Sequence, residues 1–229
     1  MEQGIAGLLA NPIDLICLIT STFLLWLYQQ MVKIRTRRDP HYSLFGMSNE
    51  ARKEWLVMLA KRGGDDILAV QTLRNSTMAA TFLASTAVLL IIGTLSFGAQ
   101  AGHNGSISLF GIRYGLTPGL LLVKVMVIVL LLISAFFCFT TAIRIFNHLG
   151  YVLAAFRDPE KVPTALPRAT MLINRAGGYY SLGMRCYYFL IPYVFWLFGA
   201  GYLLAATLGV MAVLYRIDRA PALQHDLTD

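Results

Sequence analysis

The sequence predicts an all-α polytopic membrane protein, with four transmembrane helices and helical extensions on the cytosolic side. Three observations predict it. The chain of 229 residues is 57% hydrophobic and 14% charged, where soluble domains hold about 45–50% and about 25%. It contains four apolar runs, each at least the ~20 residues that a bilayer-crossing helix needs. Its Lys and Arg residues fall almost wholly in two of the segments between those runs, the asymmetry that fixes orientation in membranes. The chain reads as one membrane domain over 1–229, with spans at about 13–32, 76–97, 118–143 and 186–214 and cytosolic linkers at 33–75 and 144–185.

The first span opens on Asn11-Pro12-Ile13-Asp14. Asn11 suits the N-cap and Pro12 the first helical position, and Asp14 meets the positive end of the dipole. Trp26 and Tyr28 lie near its inner end, and Lys33, Arg35, Arg37 and Arg38 follow. The stretch before it lacks the basic start of a signal peptide. Asp39-Pro40 then makes a turn. Ser48 or Asn49 can cap a short basic amphipathic helix through Arg62, with Ala51, Trp55, Met58, Leu59 and Arg62 on one face. Such a helix lies on an anionic leaflet or packs on its own neighbours.

Gly63-Gly64 ends that helix, and Asp65 or Asp66 caps the next. This one begins soluble, passes Arg74 and Asn75, and carries no ionisable residue from Met78 to Phe97. Residues 98–116 are a Gly-rich polar loop holding one basic residue, Arg113. Asn104-Gly105-Ser106 fits the glycosylation pattern, a match too short to carry weight. Thr117-Pro118 opens the third span, with Lys124 inside it. Helical pattern continues past Arg144, Asn147 and His148 to about Phe156. Pro159, Pro163 and Pro167 make the next loop irregular, and a short helix is expected from Ala169 until Gly177-Gly178.

The last apolar run, Cys186 to Leu214, reads as one span kinked at Pro192 and followed by a frayed tail from Arg216. Gly201, Ala205 and Gly209 recur every fourth residue. That small-residue seam lets another helix approach closely. Ser76, Ala80 and Ala84 make a similar seam on the second span.

Nine Lys and Arg lie from Lys33 to Arg74 and six from Arg144 to Arg185, against one in residues 98–116. The positive-inside rule therefore places both linkers in the cytoplasm and both termini outside, the periplasm if the host is a bacterium and the membrane its inner one. The formal charge of +7 belongs to this asymmetry. No basic stretch is interleaved with aromatics, so no nucleic-acid partner is expected.

Catalytic patterns are missing. His41, His103, His148 and His225 fall on different segments, and Cys17, Cys138 and Cys186 are widely spaced, without CxxC. No metal site, cofactor or enzymatic activity is expected, and the cysteines read as small buried hydrophobes. Haem held by His148 and another subunit is disfavoured, because a lone His near a helix end is usually an interfacial polar residue.

Two polar constellations stand out. Arg74, Asn75, Arg144, Asn147, His148 and Arg185 should all lie near the cytosolic membrane surface. There they could surround a phosphate or carboxylate, or anchor topology against anionic lipid headgroups. Asp14 and Lys124 are the charged residues within the apolar parts of the first and third spans, at matching depth. An ammonium there costs about 2.5 to well above 10 kcal/mol, so an intramembrane ion pair is expected, with snorkelling of Lys124 as the alternative.

Gln71-Thr72-Leu73-Arg74-Asn75, Met78-Ala79-Ala80, Arg144, Asn147-His148, Gly183, Arg185, Tyr187-Tyr188-Phe189, Pro192, Trp196, Phe198-Gly199 and Leu214-Tyr215-Arg216-Ile217-Asp218 together resemble the membrane family known as domain of unknown function 599. The resemblance runs from Lys33 to Asp218. It implies a four-span bundle without assigned activity, and offers no catalytic residues to transfer. Where that family tends to carry Gly-Pro, this chain has Gly199-Ala200, which removes the expectation of a second kink there.

The functional expectation is a non-enzymatic, self-associating membrane protein that supports an assembly, with lipid, its own copies and other membrane proteins as partners. The alternative is a small oligomeric channel or transporter with a cytosolic anion-binding vestibule. A pore needs polar residues through mid-depth on several spans. Here the first and fourth spans show almost none, and the second offers only Thr81, Ser85, Thr86 and Thr94.

Overall fold

The computed structural model describes residues 12–63, 67–104, 106–109, 112–115 and 118–219. The expected caps Asn11, Asp65 and Asp66, together with Thr117 and His225, lie outside them, and the glycosylation tripeptide crosses Gly105, which does too. Six α-helices are described: α1 (Pro12–Arg38), α2 (Leu44–Lys61), α3 (Ile67–Asn104), α4 (Pro118–Leu153), α5 (Val162–Phe195) and α6 (Ala200–Asp218). The segment expected as a plain loop begins instead with the last residues of α3. It then forms a small antiparallel hairpin of β1 (Ser106–Leu109) and β2 (Ile112–Gly115). Four helices, α1, α3, α4 and α6, are long and apolar enough to cross a membrane, so the chain is an all-α polytopic membrane protein.

α4 is the axis of the bundle. Leu121, Val125, Ile128, Leu132, Ala135, Phe139 and Ala142 are buried along it at helical spacing. α3 packs on α4 through small side chains, with Ala80, Ala84 and Ala87 all buried. Lipid offers helices no hydrophobic reason to associate, so close approach of small residues supplies the packing. Of the expected seam on the second span, Ala80 and Ala84 are thus used inside the subunit, while Ser76 lines a cavity with α2 and α5. α5 also lies against α4, α6 against α5, and α1 along α6.

α3, α4 and α5 have 38, 36 and 34 residues, hence about 50–57 Å at 1.5 Å per residue. A hydrocarbon layer of about 30 Å leaves each with a protruding section, as the polar first turns of α3 and last turns of α4 require. α2 packs onto these sections. Leu56 and Leu59 are buried against Leu149, Leu153, Phe156, Ala165, Ala169 and Ile173. The helix starts earlier than expected, because Ser43 accepts from the backbone N–H of Gly46 at 3.1 Å and caps it. Its buried face is also rotated: Met58 is exposed and Leu56 takes its place in the core. Asp39-Pro40 makes the expected turn, with Asp39 accepting from the backbone N–H of His41 at 2.9 Å.

The largest departure is the run from Cys186 to Leu214. It is two helices, not one. α5 begins far upstream at Val162, passes through Gly177, Gly178 and both Pro167 and Pro192, and ends at Phe195. No separate helix stops at Gly177: the helix runs through it without a break, and Arg52 of α2 packs against it. A tight turn at Trp196–Phe198 follows, and Gly199 has φ +143°, a conformation that a side chain resists. The chain reverses there. Tyr188, Ile191 and Phe195 of α5 line one groove with Gly209, Ala206 and Tyr202 of α6, the pairing of an antiparallel hairpin.

α6 therefore returns to the end of the bundle where the linkers lie. Its last residue, Asp218, bonds Tyr28 and Arg185, and Arg219 forms a backbone bridge with Ser43. The expected fraying from Arg216 does not occur before Asp218. The positive-charge count placed both termini on one side. The described ends, Pro12 and Arg219, instead lie at opposite ends of the bundle.

Candidate functional site

Two polar layers clamp the helices, one near the start of α1 and one in its second half. The first is built on Lys124, the second turn of α4. Its side chain is 1% exposed. Nζ lies 3.4 Å from Asp14 Oδ1, donates to the Trp196 carbonyl at 2.8 Å, and sits 5.2 Å from the centroid of the Trp196 ring. Trp196 Nε1 donates to the same Asp14 Oδ1 at 2.7 Å. The ammonium thus has a carboxylate, a carbonyl and an aromatic face around it. Each offsets part of the cost of holding a charge in an apolar layer. The turn after α5 leaves the Trp196 carbonyl with one backbone donor, the Gly199 N–H at 3.1 Å, and its second lone pair accepts from Lys124.

The second layer is built on Arg185. Nη2 lies 3.1 Å from Asp218 Oδ1, and Nη1 donates to Gln29 Oε1. Tyr28 Oη donates to the other oxygen, Asp218 Oδ2, at 2.8 Å. Between the layers, Thr22 Oγ1 and Tyr193 Oη share a hydrogen bond of 2.9 Å. α1 exposes Ile13, Ile16, Ile19, Phe23, Trp26 and Leu27, so these polar ties hold a helix with much of its surface outward.

The six-residue anion set is divided. Arg74 and Asn147 line one cavity of about 970 Å³ between α3 and α4, with Arg157 and Tyr151. Asn75 faces a different cavity of about 730 Å³, with Arg52 and Tyr180. Arg144 and His148 are exposed on α4. Arg185 is not with the others. α5 continues past it for more than twenty residues toward the linkers, so Arg185 enters the helix layer well above its base. Among the described residues no group of three or more His, Cys, Asp or Glu side chains is placed to hold a metal ion, and all three cysteines are free.

The Gly201, Ala205 and Gly209 seam is exposed on α6. An added Cβ at Gly201 or Gly209 would meet nothing within 4 Å. Ala205 and Gly209 line a groove of about 410 Å³ between α5 and α6.

Sequence reasoning missed Asp218 and Arg52. Asp218 stands a few residues beyond an apolar run, which read as tail. Its signal was the lone, otherwise unmatched Arg185 at the start of the same run. Arg52 read as one more linker cation, since only the tertiary packing of α2 on α5 distinguishes it.

The chain belongs to the family described as "Protein of unknown function, DUF599", whose model matches residues 16–222. No curated protein and no solved structure matches it.

Proposed function

We propose that this member of the DUF599 family is a non-enzymatic membrane protein that self-associates through α6 and supports a membrane assembly. The observation that carries this reading is the open seam. Gly201, Ala205 and Gly209 are exposed on a helix whose opposite face, at Leu203, Thr207, Val210 and Leu214, is already buried in the subunit. Small residues on an outward face permit backbone approach by a second helix, whereas Ala80 and Ala84 of the seam on α3 are buried inside the subunit. The linkers and Arg219 face the cytoplasm and Pro12 faces the other side. This puts Arg216 and Arg219 with the other basic residues, as the positive-inside rule asks; in a bacterium the bilayer is the inner membrane. The Arg and Lys of the linkers engage anionic headgroups, and other membrane proteins are further candidates as partners.

A second reading, an oligomeric channel or transporter with an inner anion-binding vestibule, draws on the cavity shared by Arg74 and Asn147. It is the weaker one, because Arg185 is committed to Asp218 and Gln29 and the set does not form a ring.

Cross-linking in native membranes and mass measurement in detergent test the first reading. The expected result is a homo-oligomer that the double variant Gly201→Leu, Gly209→Leu disperses to monomers of unchanged thermal stability. A native monomer, or an oligomer indifferent to both leucines, overturns it.

A further inference from the structure

The cavity of about 730 Å³ between α2, α3 and α5 contains a cation that the subunit leaves unbalanced. Arg52 reaches from α2 to the backbone of α5 at Gly177, where an added Cβ would collide with the guanidinium. Nη1 donates to Asn49 Oδ1 at 2.9 Å. No described carboxylate forms an ion pair with it. Burial pulls this guanidinium below its ordinary pKa, with no opposing charge to restore it. A guanidinium has five donors, so the bond to Asn49 leaves most of them to the cavity. Asn75 and Tyr180 line the same space, and neither has a hydrogen-bond partner among the described residues. By contrast, the hydroxyls of Thr72 and Ser76 are already bonded to backbone carbonyls.

The depth of this site is set by α5. Gly177 precedes Trp196 by 19 residues, about 28 Å along a helix. That is close to the ~30 Å thickness of a hydrocarbon core. With the Asp14–Lys124–Trp196 layer at one face, Arg52 stands at the headgroup level of the other. The remaining wall is apolar, including Trp55, Leu73 and Phe146.

We propose that this cavity binds a phosphate group, with Arg52 supplying the charge and Asn75 and Tyr180 supplying neutral hydrogen bonds. The phosphate of an anionic phospholipid fits both walls, its acyl chains lying along the apolar side; a free phosphate would use the polar wall alone. The proposal is independent of the α6 seam and of the oligomeric state.

Thermal unfolding of the purified full chain in a neutral detergent tests it. The probes are dioctanoyl phosphatidylglycerol, dioctanoyl phosphatidylcholine and inorganic phosphate. The expected result is a concentration-dependent rise in Tm with phosphatidylglycerol that exceeds the rise with phosphatidylcholine. Arg52→Gln should weaken the apparent affinity about tenfold or more, the loss of a charge-assisted bond, with Arg52→Lys intermediate. An equal rise with inorganic phosphate at the same concentration would support the site with a soluble occupant. Should Arg52→Gln fail to fold, Asn75→Ala and Tyr180→Phe replace it, each expected to weaken affinity severalfold. Absence of any shift in the wild type overturns the proposal, as does an affinity unchanged in every variant that folds.

Discussion

Arg185 Nη2 and Asp218 Oδ1 lie 3.1 Å apart, across 33 residues that include an apolar helix of membrane-spanning length. The pair can form only because Gly199 turns the chain back, so it ties the C-terminal end of α6 to the middle of α5. Both side chains are largely buried, at 14% and 20% exposure. Removing one partner leaves the other uncompensated, which costs about 3–5 kcal/mol in a buried setting. Asp218→Asn is expected to lower the Tm markedly, and Arg185→Gln equally. The double variant should lose little more than either single one, since each already breaks the same contact. Unfolding curves in detergent would show this; fully additive losses would mean that the two groups act separately.

The same reversal predicts an odd number of crossings. α1, α4 and α6 run one way and α3 and α5 the other. In cells with a cysteine-free background, a cysteine at Arg219 should be shielded from an impermeant thiol reagent, together with one at Lys53. A cysteine at Ser108, on the hairpin beyond α3, should be labelled. Labelling of position 219 with the same kinetics as position 108 would mean that α6 does not return.

Much of the fold was legible in the chain. Three apolar runs have the length, capping residues and flanking charge that define isolated spans, and α1, α3 and α4 follow them. The fourth run misleads because a largely apolar stretch of 29 residues from Cys186 to Leu214 fits one long span as readily as two shorter helix sections. Composition does not distinguish a kink at Pro192 from a reversal at Gly199. The reversal depends on Gly199 adopting φ +143° and on Trp196 finding Asp14 and Lys124. Those partners are 182 and 72 residues away in sequence. Arg185 stands apart from the rest of the anion set for the same reason: it precedes the apolar run by one residue, yet the helix that carries it begins at Val162. Charge spacing did show that Asp14 and Lys124 sit at one depth, but Trp196, which bonds both, stood on the misread run.

That layer gives a sharper test than either charge alone. Lys124→Met removes the ammonium and leaves Asp14 with the Trp196 indole. Asp14→Asn leaves the ammonium with the Trp196 carbonyl and ring. If the three groups act as a unit, the Asp14→Asn, Lys124→Met cycle should show a coupling of about 0.5–3 kcal/mol, the range for residues in one network. Trp196→Phe should cost Asp14 a hydrogen bond of the charged class, about 1.5–3 kcal/mol. Additivity within about 0.5 kcal/mol would mean that Lys124 is stabilised by the Trp196 carbonyl and ring without Asp14.

Packing between α4 and α5 can be separated from the open face of α6 by two glycine substitutions. At Gly183 an added Cβ would lie 2.8 Å from two atoms of the Phe139 ring. That ring is fully buried and held edge-on between Tyr180 and Tyr187, with centroids at 5.7 and 5.5 Å. It cannot swing away without moving both neighbours. Gly183→Ala should therefore destabilise the subunit by about 1–3 kcal/mol, the usual cost of overpacking, despite the helix propensity that alanine adds. At Gly201 the Cβ meets nothing within 4 Å, and the propensity gain stands alone. Gly201→Ala should leave the Tm unchanged or slightly raised, and alanine is small enough to keep a helix seam closed. The two variants thus predict opposite signs from the same substitution on neighbouring helices. A Gly183→Ala protein as stable as the wild type would show that α5 is free to draw back from Phe139, and that the contact between α4 and α5 is looser than the aromatic cluster requires.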